Sequence, residues 1–505
     1  MHLMRIEGVN LVHSFGDTED LSTRRGGGLM LLDAINAIKA LELAGVTSIS
    51  TGASAGLFQL HDECDQQAII SKVDTLLRTH PYCHGTFVVD LLSGDKDFPE
   101  MERHITAKNR WQQMQCLSFS TVGLAPSPGG CCEGDEVRPA TQSMFSAGRQ
   151  VASRVSESVH ARRTHGIGMR NKLYASLLGD TPAANASFAQ HFHQIADEAN
   201  DLTLEPASLR GKLAIFYADG NSFGTIGQSC TSPDELSEWD KYVKAQRKQF
   251  LHKLLEDIQS LAHWKNSDTL RLETLLWGGD ELMFAVPGWC GLELADRFFT
   301  QSSTMRYPND DSGKPLTHAC GLVFCHMQAP ISRVSNLAKA LAEEGKNRDR
   351  NRNSLNWVVL ESFDHTGTDL NDYLKKRFGK RHHWGEFSLT HDGLRALMND
   401  FAPLRSELPR SAIVEVARAL AENRAFDADG TIMPLVKRAY TQIGDKGGNT
   451  FASLWELNHP RGRAWSAPPA ADDLGAWIKL AELWDYAGHG PARAVTSNTQ
   501  SGSAT

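Results

Sequence analysis

Apolar residues spaced by two flank one short stretch of the chain. Leu270, Leu272, Thr274 and Leu276 come before it, and Leu282, Phe284 and Val286 after it. Period two belongs to strands, and two such runs so close together predict a β-hairpin. The residues at its tip, in "WGGDEL", are Gly278, Gly279, Asp280 and Glu281. A tight hairpin needs only a turn pair such as Asn-Gly, whereas here two acids crowd the bend. A cation is expected beside them.

The same pattern places the neighbouring elements. "KLAIFYADG" reads as an apolar strand ending at Asp219 and Gly220. A long helix follows, with Ser232 as its cap, Pro233 in the first turn, and Asp234 and Glu235 where the helix dipole favours acids. After the hairpin, "LTHACGLVFCHM" reads as a strand, "ISRVSNLAKALAEEGKN" as a helix and "SLNWVVLESF" as a strand. The order is strand, long helical stretch, strand, hairpin strand, strand, helix, strand. It predicts an α+β unit: a mainly antiparallel sheet with helices on one face, the Asp219 strand central beside the hairpin. Upstream, apolar runs at 5–12, 48–50 and 86–92 alternate with helices such as "GGLMLLDAINAIKALELAG", where Leu31, Ala34, Ile35, Ile38 and Leu41 keep helical spacing. Residues 111–206 are polar and predicted mainly helical, with an irregular loop at "GLAPSPGGCCEGDEVRPA". Beyond 366 the pattern is helical to 487, and 488–505 is predicted to be disordered.

Composition narrows the functional classes. With 505 residues, 41% hydrophobic and 22% charged, the chain has the make-up of a soluble globular protein of two to four domains. The net charge of -8 argues against a surface built to coat nucleic acid. The basic run "LKKRFGKRHHW" at 374–384 is too short to change that and reads as a solvated face. Nine scattered cysteines, no basic-apolar leader and no membrane-length apolar run point to a reducing cytoplasm.

The candidate chemistry needs distant segments to meet. With its strand beside the hairpin, Asp219 would face Asp280 and Glu281. Three converging acids are costly without cations, and hard oxygen ligands suit Mg²⁺ or Mn²⁺, two ions of which could clamp an in-line displacement at a phosphate. Gly278, Gly279 and Gly220 would let a triphosphate approach the backbone. Lys346, near the end of its helix, is placed to neutralise phosphate charge. Acids at a hairpin tip are by themselves most often solvated turn residues. Their pairing with the "YADGN" strand end favours the metal reading.

"WGGDEL" together with "FYADGNSFG" resembles the GGDEF and CRISPR-polymerase group of palm domains, relatives of class III nucleotidyl cyclases. It is most similar to the large two-palm subunit of type III CRISPR complexes, over residues 207–365. The longer Asp, Phe, Lys and Asn signature of diguanylate cyclases is not found. The resemblance implies two Mg²⁺ or Mn²⁺ ions on Asp219 and Asp280, completed by the Gly220 carbonyl, with Glu281 as a further ligand or holding the 3′ hydroxyl. It also implies nucleotide contacts from Asn221 and Phe223, and condensation of nucleoside triphosphates, ATP by resemblance, into a cyclic or short oligonucleotide signal. An effector activated by that product, and RNA or CRISPR-type subunits, are the implied partners.

By the same resemblance residues 1–110 are a degenerate first palm, entered through "DLSTRRGGGLMLLDAINAI". "SISTGASAGLF" takes the place of the acidic turn, with Gly52, Ala53 and Ser54 binding a second nucleotide and Arg24 or Arg25 contacting its phosphates. The expected fold class is thus α+β, with two ferredoxin-like palm domains, the first degenerate and the second carrying the acidic turn, plus helical domains. The expected divisions are 1–110, 111–206, 207–365, 366–487 and the 488–505 tail, with the two palms facing each other in a monomer or homodimer.

Three departures qualify this. The second acid of the turn is Glu281, where the family has Asp. The chain starts at the first palm without an HD nuclease domain, and the His-Asp pairs at His61 and His391 are read as chance. Cys131 and Cys132 are adjacent, a poor chelate, with Cys83, His84 and Cys116 distant, so no structural zinc is expected. Two other readings stay open: a scaffold subunit of a CRISPR-type ribonucleoprotein that keeps its palm as a nucleotide sensor, and GTP condensation as in diguanylate cyclases.

Overall fold

The computed structural model describes residues 1–9, 11, 16–41, 43–116, 130–145, 152–182, 185–196, 207–308, 313–360, 388–407, 409–421 and 481–487. The predicted disordered tail and the basic run at 374–384 lie outside them. Among the described residues no helix is long and apolar enough to cross a membrane.

The amino-terminal sheet holds β1 (His2–Gly8), β2 (Val46–Thr51), β3 (Ala55–Leu60) and β4 (Phe87–Ser93) in the order β2-β3-β1-β4. Helix α1 (Leu21–Ala40) joins β1 to β2, and α2 (Gln66–Leu77) lies between β3 and β4. Met4, Ile6 and Phe58 pack with Ala34 and Ile35 of α1 and Val73 of α2. Leu3 and Leu57 point to the other face, against Phe98, Met101 and Ile105 of α3 (Phe98–Gln113). The strand expected over 5–12 stops at Gly8, where the next amide, of Val9, donates to Thr86 O at 2.8 Å.

Between the two sheets runs α4 (Glu157–Leu178), preceded by a small ladder of Gln142–Met144 with Ser153–Val155. Helix α4 lies close against α1 because both present a glycine at the crossing. A Cβ on Gly26 would overlap the Arg162 carbonyl, and one on Gly166 the Ser22 carbonyl.

The second sheet repeats the plan of the first. β5 (Lys212–Gly220), β6 (Glu273–Trp277), β7 (Glu281–Pro287) and β8 (His318–His326) stand in the order β6-β7-β5-β8, with α5 (Pro233–Ile258) after β5 and α6 (Gly291–Ser302) between β7 and β8. Both sheets therefore have split β-α-β-β-α-β connectivity with antiparallel neighbours. The second is extended by α7 (Ile331–Arg348), by β9 (Ser354–Val359), parallel to β8, and by β10 (Ser388–Leu389). Ser232 caps α5 as expected, accepting from the Glu235 amide at 3.2 Å.

Two sequence expectations are corrected. Helix α6 was not anticipated, although Leu292, Leu294, Ala295, Phe298 and Phe299 supply its buried side. The helices do not share one face. Phe298 of α6 and Phe250 of α5 pack on Phe216 and Phe284, whereas α7 crosses the opposite face, where Gly321 lets the Ala338 carbonyl come down onto β8. Strand β7 is consequently buried on both sides, Met283 and Ala285 included, and the period-two reading of the hairpin gave only half its core.

Gly26→Ala should lower the unfolding free energy by about 1–3 kcal/mol through overpacking at the crossing. Gly168→Ala, on the same helix as Gly166 with nothing within 4 Å of its Cβ, should be neutral or stabilising. Urea denaturation of both variants checks this.

Candidate functional site

The register of β5 against β7 places Asp219 directly opposite Glu281. Asp280 precedes Glu281 in a turn closed by the Gly278 amide donating to the Glu281 carbonyl at 3.0 Å. Neither glycine has a positive φ, so the turn backbone does not itself demand them. A Cβ on Gly279 would meet nothing within 4 Å, which leaves open ground over the bend.

Period two puts Tyr217, Asp219 and Glu281 on the face covered by α7, and α7 supplies two lysines seven residues apart. Lys346 Nζ lies 2.6 Å from Asp219 Oδ2, and Lys339 Nζ lies 4.0 Å from Glu281 Oε2 and 5.6 Å from the centre of the Tyr217 ring. Tyr217 donates its hydroxyl to Asp219 Oδ2 at 3.3 Å. From the side, Arg247 of α5 donates to the carbonyls of Gly279 and Glu281 and stacks on Trp277 at 4.6 Å.

These cations do not fully compensate the acids. Burial pushes Asp219 up to about 6, with Asp280 and Glu281 adding to the rise and Lys346 opposing it. Asp280 is also raised, first by burial and then by Glu281, and the Tyr217 phenol is raised by burial and by Glu281 and Asp219. A carboxylate cluster still short of positive charge, on hard oxygen ligands, fits one or more divalent cations.

Several predicted contacts are instead internal to the fold. Phe223 is buried edge-on against Trp239 and His318, in core rather than facing a nucleotide. Gly220 is required by that ring, which a Cβ would overlap. Asn221 is 4% exposed and ties β5 to neighbouring loops, donating from Nδ2 to Thr317 Oγ1 at 2.9 Å and to the Arg352 carbonyl at 3.3 Å. Arg25 is not available to a phosphate: it forms a bidentate ion pair with Glu273 of β6, both side chains 2% exposed. Arg24 donates to the carbonyls of Gly16 and Thr18.

The first sheet carries a turn of the same construction. The Gly52 amide donates to the Ala55 carbonyl at 2.7 Å, and the Ser54 carbonyl accepts from Gly8 at 2.8 Å. The two turns meet, since a Cβ on Gly278 would stand 3.6 Å from that of Ala53. Opposite Ala55, in the position that Asp219 holds in the second sheet, is Glu7. Its carboxylate is already paired with Arg5 at 3.0 Å, so this half lacks the acid cluster. Cys132 Sγ accepts from the Gly134 and Asp135 amides, while Cys131 and Cys116 are exposed. Among the described residues, His263, Cys290 and Glu293 lie close enough to hold a metal. The Glu293 carboxylate is, however, taken up by Arg297, His263 and Trp264.

Arg247, Lys339 and Tyr217 were missed. Tyr217 and Lys339 could have been found, as the residues two before Asp219 and seven before Lys346 on the same faces. Arg247 was visible only as a charge within the apolar stripe of Val243, Phe250 and Leu254.

Two outcomes are expected. Arg25→Met leaves Glu273 buried and unpaired and should destabilise the protein by about 3–5 kcal/mol, with Arg25→Met/Glu273→Met recovering most of the loss in denaturant titration. In divalent-free buffer, Asp219 holds its proton more tightly folded than unfolded, so stability should fall as pH rises from about 4 to about 6. Thermal midpoints across that window check this, and Asp219→Asn should flatten the slope.

No protein-family model matches the sequence, and no curated protein matches it. Among solved structures the chain is similar to Csm1 from T. onnurineus, with 13% identity and a TM-score of 0.50, over 95% of this chain and 69% of that one. It is also similar to a Csm1-Csm4 cassette in complex with pppApA, with 14% identity and a TM-score of 0.49 over 95% and 69% of the two chains. A Csm1-Csm4 cassette in complex with AMPPNP matches at 14% identity and a TM-score of 0.41, over 75% of this chain and 58% of that one. The chain thus spans 58–69% of the length of these proteins. At such identity the likeness is one of fold, and that fold is the mixed α/β architecture of Csm1, a subunit of type III CRISPR complexes.

Proposed function

We propose that the chain is a two-palm nucleotidyltransferase subunit of the type III CRISPR kind, which condenses nucleoside triphosphates, releasing pyrophosphate, into a cyclic or short oligonucleotide signal. The observation that carries this is the convergence of Asp219, Asp280 and Glu281 at neighbouring strand ends, under two lysines and against a second turn of the same build. In this reading each β-α-β-β-α-β unit is a palm, the first degenerate.

Asp219 and Asp280, with Glu281 beside them, would hold Mg²⁺ or Mn²⁺, which when bound supplies a Lewis acid for the phosphoryl centre and lowers the pKa of the attacking hydroxyl. The rest falls to the chain's own groups. Lys346 and Lys339 present ammonium groups where triphosphate oxygens would lie. Tyr217 orients the Asp219 carboxylate through its hydroxyl. Gly279 leaves the backbone open to the phosphates. The first turn, around Ser54, offers a place for a second nucleotide, since the acid opposite it, Glu7, is already paired with Arg5. The resemblance to the CRISPR subunit suggests ATP as the substrate, a separate effector as the receiver of the product, and RNA or partner subunits as the source of control.

The purified protein, incubated with each of the four NTPs singly and together with Mg²⁺ or Mn²⁺, should give an oligonucleotide or cyclic product by mass spectrometry. Asp280→Asn should lose that product on the order of 10²-fold or more while keeping its fold. Full activity in that variant would remove the metal assignment. A product from GTP alone would favour GTP condensation, and copurifying RNA without any product would favour a scaffold.

A further inference from the structure

One face of α5 touches both turns. Asp240, Lys244 and Arg247 are spaced four and three residues apart, so they share one side of the helix. Lys244 Nζ donates to Thr51 Oγ1 and to Asp240 Oδ2, each at 2.6 Å. Thr51 immediately precedes the Gly52–Ser54 turn. One helical turn further on, Arg247 reaches the carbonyls of Gly279 and Glu281, which bracket Asp280.

Arg247 is 5% exposed, and a buried guanidinium is costly unless the fold uses it. Its hydrogen-bond partners are neutral carbonyls, while its counter-charges are Asp280, Glu281 and Asp240. Two carbonyls at fixed separation match a planar fork, which an ammonium cannot reproduce. Trp277 closes the other side of the guanidinium.

We propose that Arg247 is a positioning residue: its guanidinium holds the two peptide carbonyls on which Asp280 is mounted, and the helix face it shares with Lys244 and Asp240 sets the spacing between the acidic turn and the Gly52–Ser54 turn. This rests on the reading of the acidic turn as a metal site.

Charge and geometry predict opposite outcomes for the test. If Arg247 acted only as a charge, Arg247→Lys would be silent, and Arg247→Gln would bind cations more tightly because a nearby positive charge is gone. A geometric role makes Arg247→Lys harmful. Mn²⁺ binding to the full chain, without nucleotide, is followed by electron paramagnetic resonance beside Asp280→Asn, with circular dichroism to confirm folding. Arg247→Lys should weaken Mn²⁺ binding about tenfold, as removal of a group supporting metal ligands does. With nucleotide, kcat should fall about 10²-fold with KM within a few-fold, the mark of a misplaced reacting group.

Wild-type Mn²⁺ affinity and kcat in Arg247→Lys, or tighter binding in Arg247→Gln, overturns the proposal while leaving the metal site standing. Mn²⁺ binding that Asp280→Asn does not reduce sinks the metal reading itself, and this inference with it. Should Arg247→Lys fail to fold, Lys244→Met tests the same helix face. Its kcat should drop while Mn²⁺ affinity is kept, and an unchanged kcat counts against the device.

Discussion

Burial of Asp219 and Asp280 beside a third acid, Glu281, is the constraint to which the surroundings of the hairpin turn answer. Antiparallel register forces Asp219 and Glu281 together, and burial removes much of the water that would screen Asp219. Two helices on opposite sides of the hairpin respond. Helix α7 brings Lys339 and Lys346 over the carboxylates, and α5 brings Arg247 behind the turn backbone. Burial nevertheless keeps the Asp219 and Asp280 carboxyls above their ordinary pKa range, with Glu281 adding to the rise.

The two sheets are joined by a reciprocal exchange of helices. Helix α1 of the first packs against β6, the edge strand of the second, where Arg25 pairs with Glu273. Helix α5 of the second packs against β2, the edge strand of the first, where Lys244, paired with Asp240, donates to Thr51. The Arg25–Glu273 pair is buried and forms only when both halves are in place, whereas Lys244 and Asp240 pair within α5 and reach across to Thr51. This brings the turns of the two sheets into contact.

Within this shared plan the halves differ at the turn, where Ser54 and Ala55 stand in place of Asp280 and Glu281, and in how the facing acid is paired. Glu7 takes its cation from Arg5, two residues away on its own strand, whereas Asp219 takes its cation from a lysine on a separate helix. A carboxylate neutralised by its own strand, beside a turn of Gly52, Ala53 and Ser54, has no acidic companions. The difference in charge between the two turns thus follows from a handful of side chains on nearly the same backbone.

Most strands and the capped helix α5 were legible from the chain, because periodicity and capping act over a few residues. So was the meeting of Asp219 with the hairpin acids, since strand order follows from connectivity. Helix α6 escaped because its apolar stripe adjoins the hairpin's own apolar run, and the second buried face of β7 escaped because period two assumes a solvated side. The fates of Phe223, Asn221 and Arg25 were not legible at all. Their types suit a nucleotide site, but a ring against Trp239, an amide against Thr317 and an ion pair across 248 residues of chain depend on what folding brings alongside. The sequence by itself determined where the acids sit along the chain and which strands present them, because those are local properties. Which cations answer them, and which candidate residues are drawn into the core instead, only the tertiary structure decided, because charge and packing depend on neighbours in space.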